Sequence, residues 1–458
     1  MKEVLLTTSH SVPLTVPTVA TDQLGPFRFG SFLDGVLLTN DQGKWHWLPQ
    51  DVFTQFITGA LESESAELKT LGSKGFVRSE LQLDDYIATV RQRKKFLGEG
   101  PQKHQIWLDD QHGSLPIDTA KSIIDHLMQS TTQTITIEVI QRSAPIDAEL
   151  LSFLLSYTSE KNRYESKVLK WGFRSPFFAV TEEILNILIE HNFTIYGELD
   201  STKLLQTTET NSNDGTMKDN LLKLKAMATA LQKSVPEIQI RLLVDQEHVR
   251  RSDDILQALH ELGTNIVLLE PQQDANRAPS ITAFKELFRA TLQALLSDKY
   301  TITEGHARAL AGSVLQHSKA PAVGYRSPSD AGTGIHCYNT KGQIFPNMQA
   351  SKSGNTMFLL GQTEESNYQD VLQHATVKTL AVASLVDCLP GFSEHWSAPF
   401  LTVDPIAAYL ETGDLFEKMP TSSRVKADIA RLEVIFGILL QSDDTIRNAL
   451  AEWPTEQQ

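Results

Sequence analysis

The chain has 458 residues, 41% hydrophobic and 8% aromatic, enough apolar material for large cores in two to four domains. Lys and Arg number 41 against 56 Asp and Glu, giving a net charge of −15, and the longest basic block is 91–95, so the field of the molecule repels nucleic acid and anionic membrane. No apolar run approaches the roughly 20 residues of a membrane span, the first residues lack a signal pattern, and Cys337 and Cys388 are the only cysteines, which together point to a cytoplasmic chain without disulfides.

Near the N-terminus, candidate strands at 36–40 and 45–48 flank the turn Asp41, Gln42, Gly43, a hairpin signal. The period then changes. Residues 49–60 place Val52, Phe53, Phe56 and Ile57 on one helical face, and 66–71 reads as a second short helix ending at Gly72 and Gly75. A hairpin followed by helices is the pattern of a small winged-helix-like module.

From 104 to about 298 strands and helices alternate. Strands are expected at 105–108, 134–140, 167–171, 193–199, 238–244 and 265–269, with helices at 117–128, 146–161, 181–190, 220–232, 252–262 and 280–296 and a polar linker at 207–219. About six βα units predict a parallel sheet, doubly wound or a partial barrel, with chemistry at the C-terminal strand ends. The acids expected there are Asp109, Asp110, Glu138, Glu198 and Asp200; four of them, Asp109, Asp110, Glu138 and Asp200, are the candidate divalent-metal or acid–base set. His104 and His112 beside Asp109 and Asp110 form the best local imidazole group, but the alternation of a short strand turns them apart. His306, His317 and His336 have no ligand spacing and read as structural.

Beyond 300, strands at 335–338 and 343–345 are joined by Lys341 and Gly342, with Gly332 and Gly334 before them and Gly361 after. Gly332 and Gly334 open no helix after a strand, so they form a turn and not a phosphate cradle. Ser327 and Ser329 lack a neighbouring His and orienting acid, so a nucleophile has no support. Residues 373–389 read as a helix with Val377, Leu380, Ala381 and Leu385 on one face, ended by Pro390 and Gly391.

The hairpin region resembles that of radical SAM maturases with a SPASM-type C-terminal extension, and most closely the maturase of His-Xaa-Ser peptide systems. The likeness rests on Ser327 and Pro328, Ala331 and Gly332, Tyr338 and Asn339, Gly342, Phe345 and Phe358 through Gly361, with further framework at 157–163, 180–192 and Leu199 with Asp200. It spans about 27–440 and implies a partial (β/α)6 barrel of radical SAM type, an α/β fold, at 99–299. Around it the resemblance implies a winged-helix-like module at 1–98 and a SPASM-like α+β extension at 300–458.

Where the family has iron ligands or the turn that contacts S-adenosylmethionine, this chain has Asp110, Ser143, Ser329, Asn347, Leu401, Asp404 and Val425, with His395 near another ligand position. A cluster needs cysteine thiolates, so no iron–sulfur or S-adenosylmethionine cofactor is expected. The N-terminal module is similar to leader-peptide recognition elements, which makes Leu37, Trp45, Trp47, Phe53 and Phe56 candidate peptide contacts. The implied function is an inactive scaffold or binding subunit in a peptide-modification system, partnered by an active maturase and a precursor peptide. The alternative is a cluster-independent enzyme using carboxylates at the strand ends.

Overall fold

Every apolar run between 103 and 271 that reads as a strand becomes one, and all of them join a single sheet. The computed structural model describes residues 19–142, 147–176, 180–209, 216–297, 299–317 and 321–453.

The chain begins with an antiparallel three-stranded sheet, β1 (Arg28–Phe32), β2 (Gly35–Thr39) and β3 (Trp45–Pro49), followed by α1 (Gln50–Ile57), α2 (Ala66–Ser73) and α3 (Leu83–Arg93). The expected hairpin is β2–β3, with Thr39 opposite Trp45 and Gly43 at φ 77 in the turn. β1 escapes the sequence reading because Arg28, Gly30 and Ser31 interrupt any apolar alternation. Val36 and Leu38 pack with Phe53, Phe56, Leu71 and Phe76 in a core of their own. Leu37, on the opposite face of β2, joins the main core.

The large sheet is built from β4 (Lys103–Trp107), a short ribbon β5 (Asp109–Asp110) and β6 (Gly113–Ser114) set apart from it, α4 (Ile117–Leu127), β7 (Thr134–Ile140), α5 (Ala148–Glu165), β8 (Val168–Arg174), α6 (Glu182–Glu190), β9 (Thr194–Asp200), α7 (Ser201–Glu209), α8 (Thr216–Ala230), β10 (Ile238–Val244), α9 (Ser252–Leu262), β11 (Ile266–Pro271) and α10 (Ile281–Leu296). After these come β12 (Thr303–Glu304), α11 (Gly305–Leu315), β13 (Ile335–Tyr338), β14 (Gln343–Phe345), α12 (Met348–Ser353), β15 (Gly361–Gln362), α13 (Tyr368–Leu372), α14 (Ala375–Ala383), α15 (Pro405–Thr412), α16 (Ser423–Gln441) and α17 (Asp444–Glu452). The strand order is β12-β11-β10-β9-β8-β7-β4-β13-β14-β15. β13 lies parallel to β4, and β14 and β15 add antiparallel, so one sheet runs across position 299.

One face of this sheet is apolar: Ile106, Ile137, Val139, Phe173, Ile195, Ile240, Leu242, Val267 and Leu269 are buried in the main core with the helices. Each such side chain, fully removed from water, contributes about 1.5–3 kcal/mol. The opposite face carries Gln105, Glu138, Arg174, Glu198, Arg241 and Glu270, because alternation sends every second residue there.

Two expectations change. The helix expected at 373–389 stops at Ala383, where the Ser384 hydroxyl donates back to Leu380 O at 2.7 Å and Val386 N–H turns to the Ser327 hydroxyl at 3.1 Å. The linker expected from 207 begins instead as the end of α7, and its residues 210–215 lie outside the described ones. Among the described residues no helix is long and apolar enough to cross a membrane.

Candidate functional site

On the polar face of the sheet, charges of alternating sign stand beside one another. Glu138 is fully buried and ion-paired to both Lys103 and Arg174. Burial alone would raise its carboxyl, but the two cations hold it down to about 2. Tyr196 lies over Gly172, where an added Cβ would come within 2.6 Å of the ring, and Lys103 and Arg174 sit 5.2 and 5.0 Å from its centroid. Farther along, Arg241 bonds Glu198 at 2.8 Å and Glu270 at 2.5 Å. Burial pushes Glu270 up, but His306 and Arg241 bring it far below the usual carboxylate range.

The C-terminal ends of β4 and β7 are closed by hydrocarbon. Trp107 and Ile140 stand in register there and pack with Ala331, Cys337, Phe345, Ala350, Phe358, Leu380 and Ile406 in a separate apolar cluster. Below them the Met348 N–H donates to Gln105 Oε1 at 3.0 Å, which seats the start of α12 over β4.

What stays open is a cavity of about 860 Å³ over β9, β10 and β11, walled by segment 321–335 and by α11, α15 and α16. Glu270, His306 and Tyr325 face it together. The Tyr325 hydroxyl is bonded to His306 Nδ1, and His306 Nε2 lies 3.7 Å from Glu270. Arg431, 3% exposed, pairs with Asp428 at 2.5 Å and donates to Leu269 O at 2.7 Å, which fixes α16 against β11.

Three of the positions read as lost ligands line this cavity: Ser329, Asn347 and Asp404. Asn347 caps α12 by accepting from Ala350 N–H at 2.9 Å, and Asp404 caps α15 by accepting from Ile406 and Ala407 N–H at 3.0 and 3.1 Å. The Ser329 hydroxyl is buried without a partner. Leu401 and Val425 are core residues, and Ser143 lies outside the described residues.

The candidate carboxylates do not converge. Asp109 accepts from Arg142 N–H at 2.6 Å, Asp110 from the Thr340 hydroxyl and N–H at 2.7 and 3.0 Å, and Asp200 from Lys203 N–H at 2.8 Å, while Glu138 is in its ion pairs. Asp109 and Asp110 belong to the β5–β6 ribbon, and Glu138 lies in mid-strand, which separates them. Among the described residues no three His, Cys, Asp or Glu side chains are placed to hold a metal. His104 and His112 also part: His104 is buried behind the sheet against Tyr338, at 3.0 Å, and His112 is exposed.

The peptide-contact candidates are consumed by packing. Phe53 and Phe56 sit inside the N-terminal core. Leu37, Trp45 and Trp47 face the main body: Trp45 donates to Val314 O at 3.2 Å and meets Phe436 edge-on at 5.1 Å, and Trp47 donates to Phe32 O at 2.9 Å. Sequence alternation marked these side chains as apolar, but it could not tell a docking face for the chain's own α11 and α16 from one for a peptide. Reasoning from sequence also missed the Glu270, His306 and Tyr325 group, whose members are far apart in the chain and share no spacing.

No family model matches the chain, and no curated protein does. Solved structures do. The chain is similar to native anSMEcpe with bound AdoMet, at 9% identity over 76% of this chain and 99% of that one, with a TM-score of 0.58. It is similar also to native anSMEcpe with bound AdoMet and Cp18Cys peptide, at 10% identity over 76% and 99%, TM-score 0.56. Streptococcus suis SuiB bound to S-adenosylmethionine aligns at 10% identity over 87% and 97%, TM-score 0.49. At such identities the likeness is one of fold: a mixed α/β structure with a large parallel sheet, similar to radical SAM maturases.

The AdoMet belongs to those structures; the sequence resemblance would add an iron–sulfur cluster, and the chain's two cysteines do not stand at the positions it matches to ligands. Clusters are held by thiolates. Cys337 is wholly buried in β13, where burial pushes its thiol up, and Cys388 is exposed on the surface near Asp387. The segment after β4 offers Asp109 and Asp110, both already engaged, and the strand ends above offer Trp107 and Ile140 in close packing.

Proposed function

We propose that this chain is a catalytically inactive relative of radical SAM, SPASM-bearing maturases that acts as a scaffold or binding subunit in peptide modification, with a winged-helix-like N-terminal module, a degenerate partial barrel and a SPASM-like extension. The observation that carries the reading is the Trp107 and Ile140 cluster, an apolar plug at the strand ends whose one cysteine, Cys337, is wholly buried and kept a neutral thiol by that burial. A fold kept by packing where its relatives use a cofactor is a fold kept for its surfaces. The partners we propose are a second, active maturase chain and its precursor peptide. The cavity supports a peptide ligand: its charges are largely paired internally, and Gln239, Gln316 and Gln349 on its walls offer amide groups that match a peptide backbone.

The test is anaerobic purification with iron and sulfide, followed by absorption, iron content and AdoMet titration. A colourless protein without AdoMet binding that retains a maturase-like chain or short peptide supports the reading; a stable chromophore overturns it. One observation favours a second reading, an enzyme without a cluster: Glu270, His306 and Tyr325 form a carboxylate, imidazole and phenol series on the cavity wall, a set able to move a proton. Turnover lost in both His306→Gln and Tyr325→Phe would establish it.

A further inference from the structure

On the apolar side of the sheet, five rings from four elements meet in one buried cluster: His104 of β4, His126 of α4, His336 and Tyr338 of β13, and Tyr368 of α13. None is more than 2% exposed. Neighbouring ring centroids are 5.1 to 6.5 Å apart. The Tyr338 oxygen lies 3.0 Å from His104 Nδ1 and 3.4 Å from His126 Nδ1, and His336 Nε2 donates to Gly332 O at 3.2 Å. His126 Nε2 and His336 Nδ1 are buried without a partner, while the Pro101 carbonyl stands by His104 and Ser130 by the Tyr368 hydroxyl.

These contacts suit neutral imidazoles, since His126 and His336 each have only one partnered ring nitrogen. A neutral ring has one donor and one acceptor nitrogen, whereas a protonated ring needs two acceptors. The groups facing the cluster are the Pro101 and Gly332 carbonyls, the Ser130 hydroxyl, the two phenols and Lys167, whose Nζ donates to Ser130 O at 2.5 Å and Thr132 O at 3.1 Å. Among the described residues no carboxylate acts on any of the three imidazoles. A proton taken up here would therefore be a buried cation whose charged neighbour is another cation, Lys167.

We propose that this cluster is an acid-sensitive latch: closed while the three imidazoles are neutral, it ties β13 to β4, α4 and α13, and protonation releases the β13–β14 hairpin from β4. Burial agrees in direction, holding His126 near 4, His336 near 3 and His104 well below its ordinary 6.5. Because these folded-state values lie below that of an unfolded histidine, the cluster's contribution is complete above about pH 6.5 and is lost as pH falls from there. Residues Ser329, Asp330, Ala331 and Ile335, which lead into and begin β13, also line the cavity, so release of the hairpin would open that wall. The inference rests on the cluster and not on what the cavity binds.

The test is hydrogen exchange of the full chain at pH 7.5, 6.0 and 5.0, corrected for the chemical exchange rate. Peptides over 335–345 are expected to lose protection at least tenfold more than peptides over 238–244 and 266–271 between pH 7.5 and 5.0. His104→Gln and His336→Gln should each cut that difference at least threefold. Equal loss in both regions, retained protection of the hairpin, or unchanged behaviour of both folded variants would overturn the latch. Should the variants not fold, histidine titration of the wild-type chain by NMR decides: protonation in step with hairpin opening supports it, and protonation with the hairpin closed overturns it.

Discussion

Trp107 and Ile140 stand side by side in register at the C-terminal ends of β4 and β7, both buried. In parallel α/β folds those ends are where ligands meet the sheet, so this pair decides what the first two strands can do. Trp107→Ala should destabilise the chain by about 3–5 kcal/mol, the usual cost of emptying a buried aromatic site. Urea unfolding would show it as a lower midpoint at constant slope. On the function proposed above, AdoMet titration of the same variant should stay flat.

Glu138 makes a second prediction. Deleting the carboxylate leaves Lys103 and Arg174 facing each other without a counter-charge, so Glu138→Ala should cost about 3–5 kcal/mol at neutral pH. The folded-state value near 2 lies below the ordinary 4.5, so the stability it supplies is present above about pH 4.5 and is lost as pH falls toward 2. The gap between wild type and Glu138→Gln should hold steady from pH 7 to 5 and narrow below 4.5, as measured by urea midpoints. A gap that widens in acid would contradict this placement.

Much of the sheet was legible in the sequence because its strands are buried on one face and bounded by turn residues. The hairpin residues 335–338 and 343–345 are found where Gly332 and Gly342 predict them. Burial on the other face was not legible. Glu138 reads in sequence as an acid at a strand end, and only strand order, which sets Lys103 and Arg174 on either side of it, shows the three to be mutual partners. The same holds for His336: it has no ligand spacing in sequence, and its meaning comes from His104 and His126, brought to it by pairing of β13 with β4.

Trp45 tests how the N-terminal module is held. Its indole N–H reaches Val314 O and its ring meets Phe436, so it serves as an anchor between that module and α11 and α16. Trp45→Ala should cost about 3 kcal/mol and make the segment near 93–103 more sensitive to limited proteolysis as the module detaches. If the indole were instead a peptide contact, stability would be unchanged and only peptide affinity would fall.

Asp404 separates a structural role from a vestige of metal binding. It accepts from two N–H groups at the start of α15, next to Pro405 in the first turn, and its own N–H donates to Glu417 at 3.2 Å. Such a cap is worth about 0.5–2 kcal/mol. Asp404→Ala should lose about that much in thermal or urea unfolding, while Asp404→Asn, which keeps the acceptor oxygen and gives up the charge, should lose less than half of it. Were the carboxylate kept for a cation in the cavity, the order would invert on adding divalent metal: the wild-type chain would gain stability with Mg²⁺ or Mn²⁺ and the asparagine variant would not. With Oδ1 committed to the two N–H groups of the helix start, the two chains are expected to respond alike.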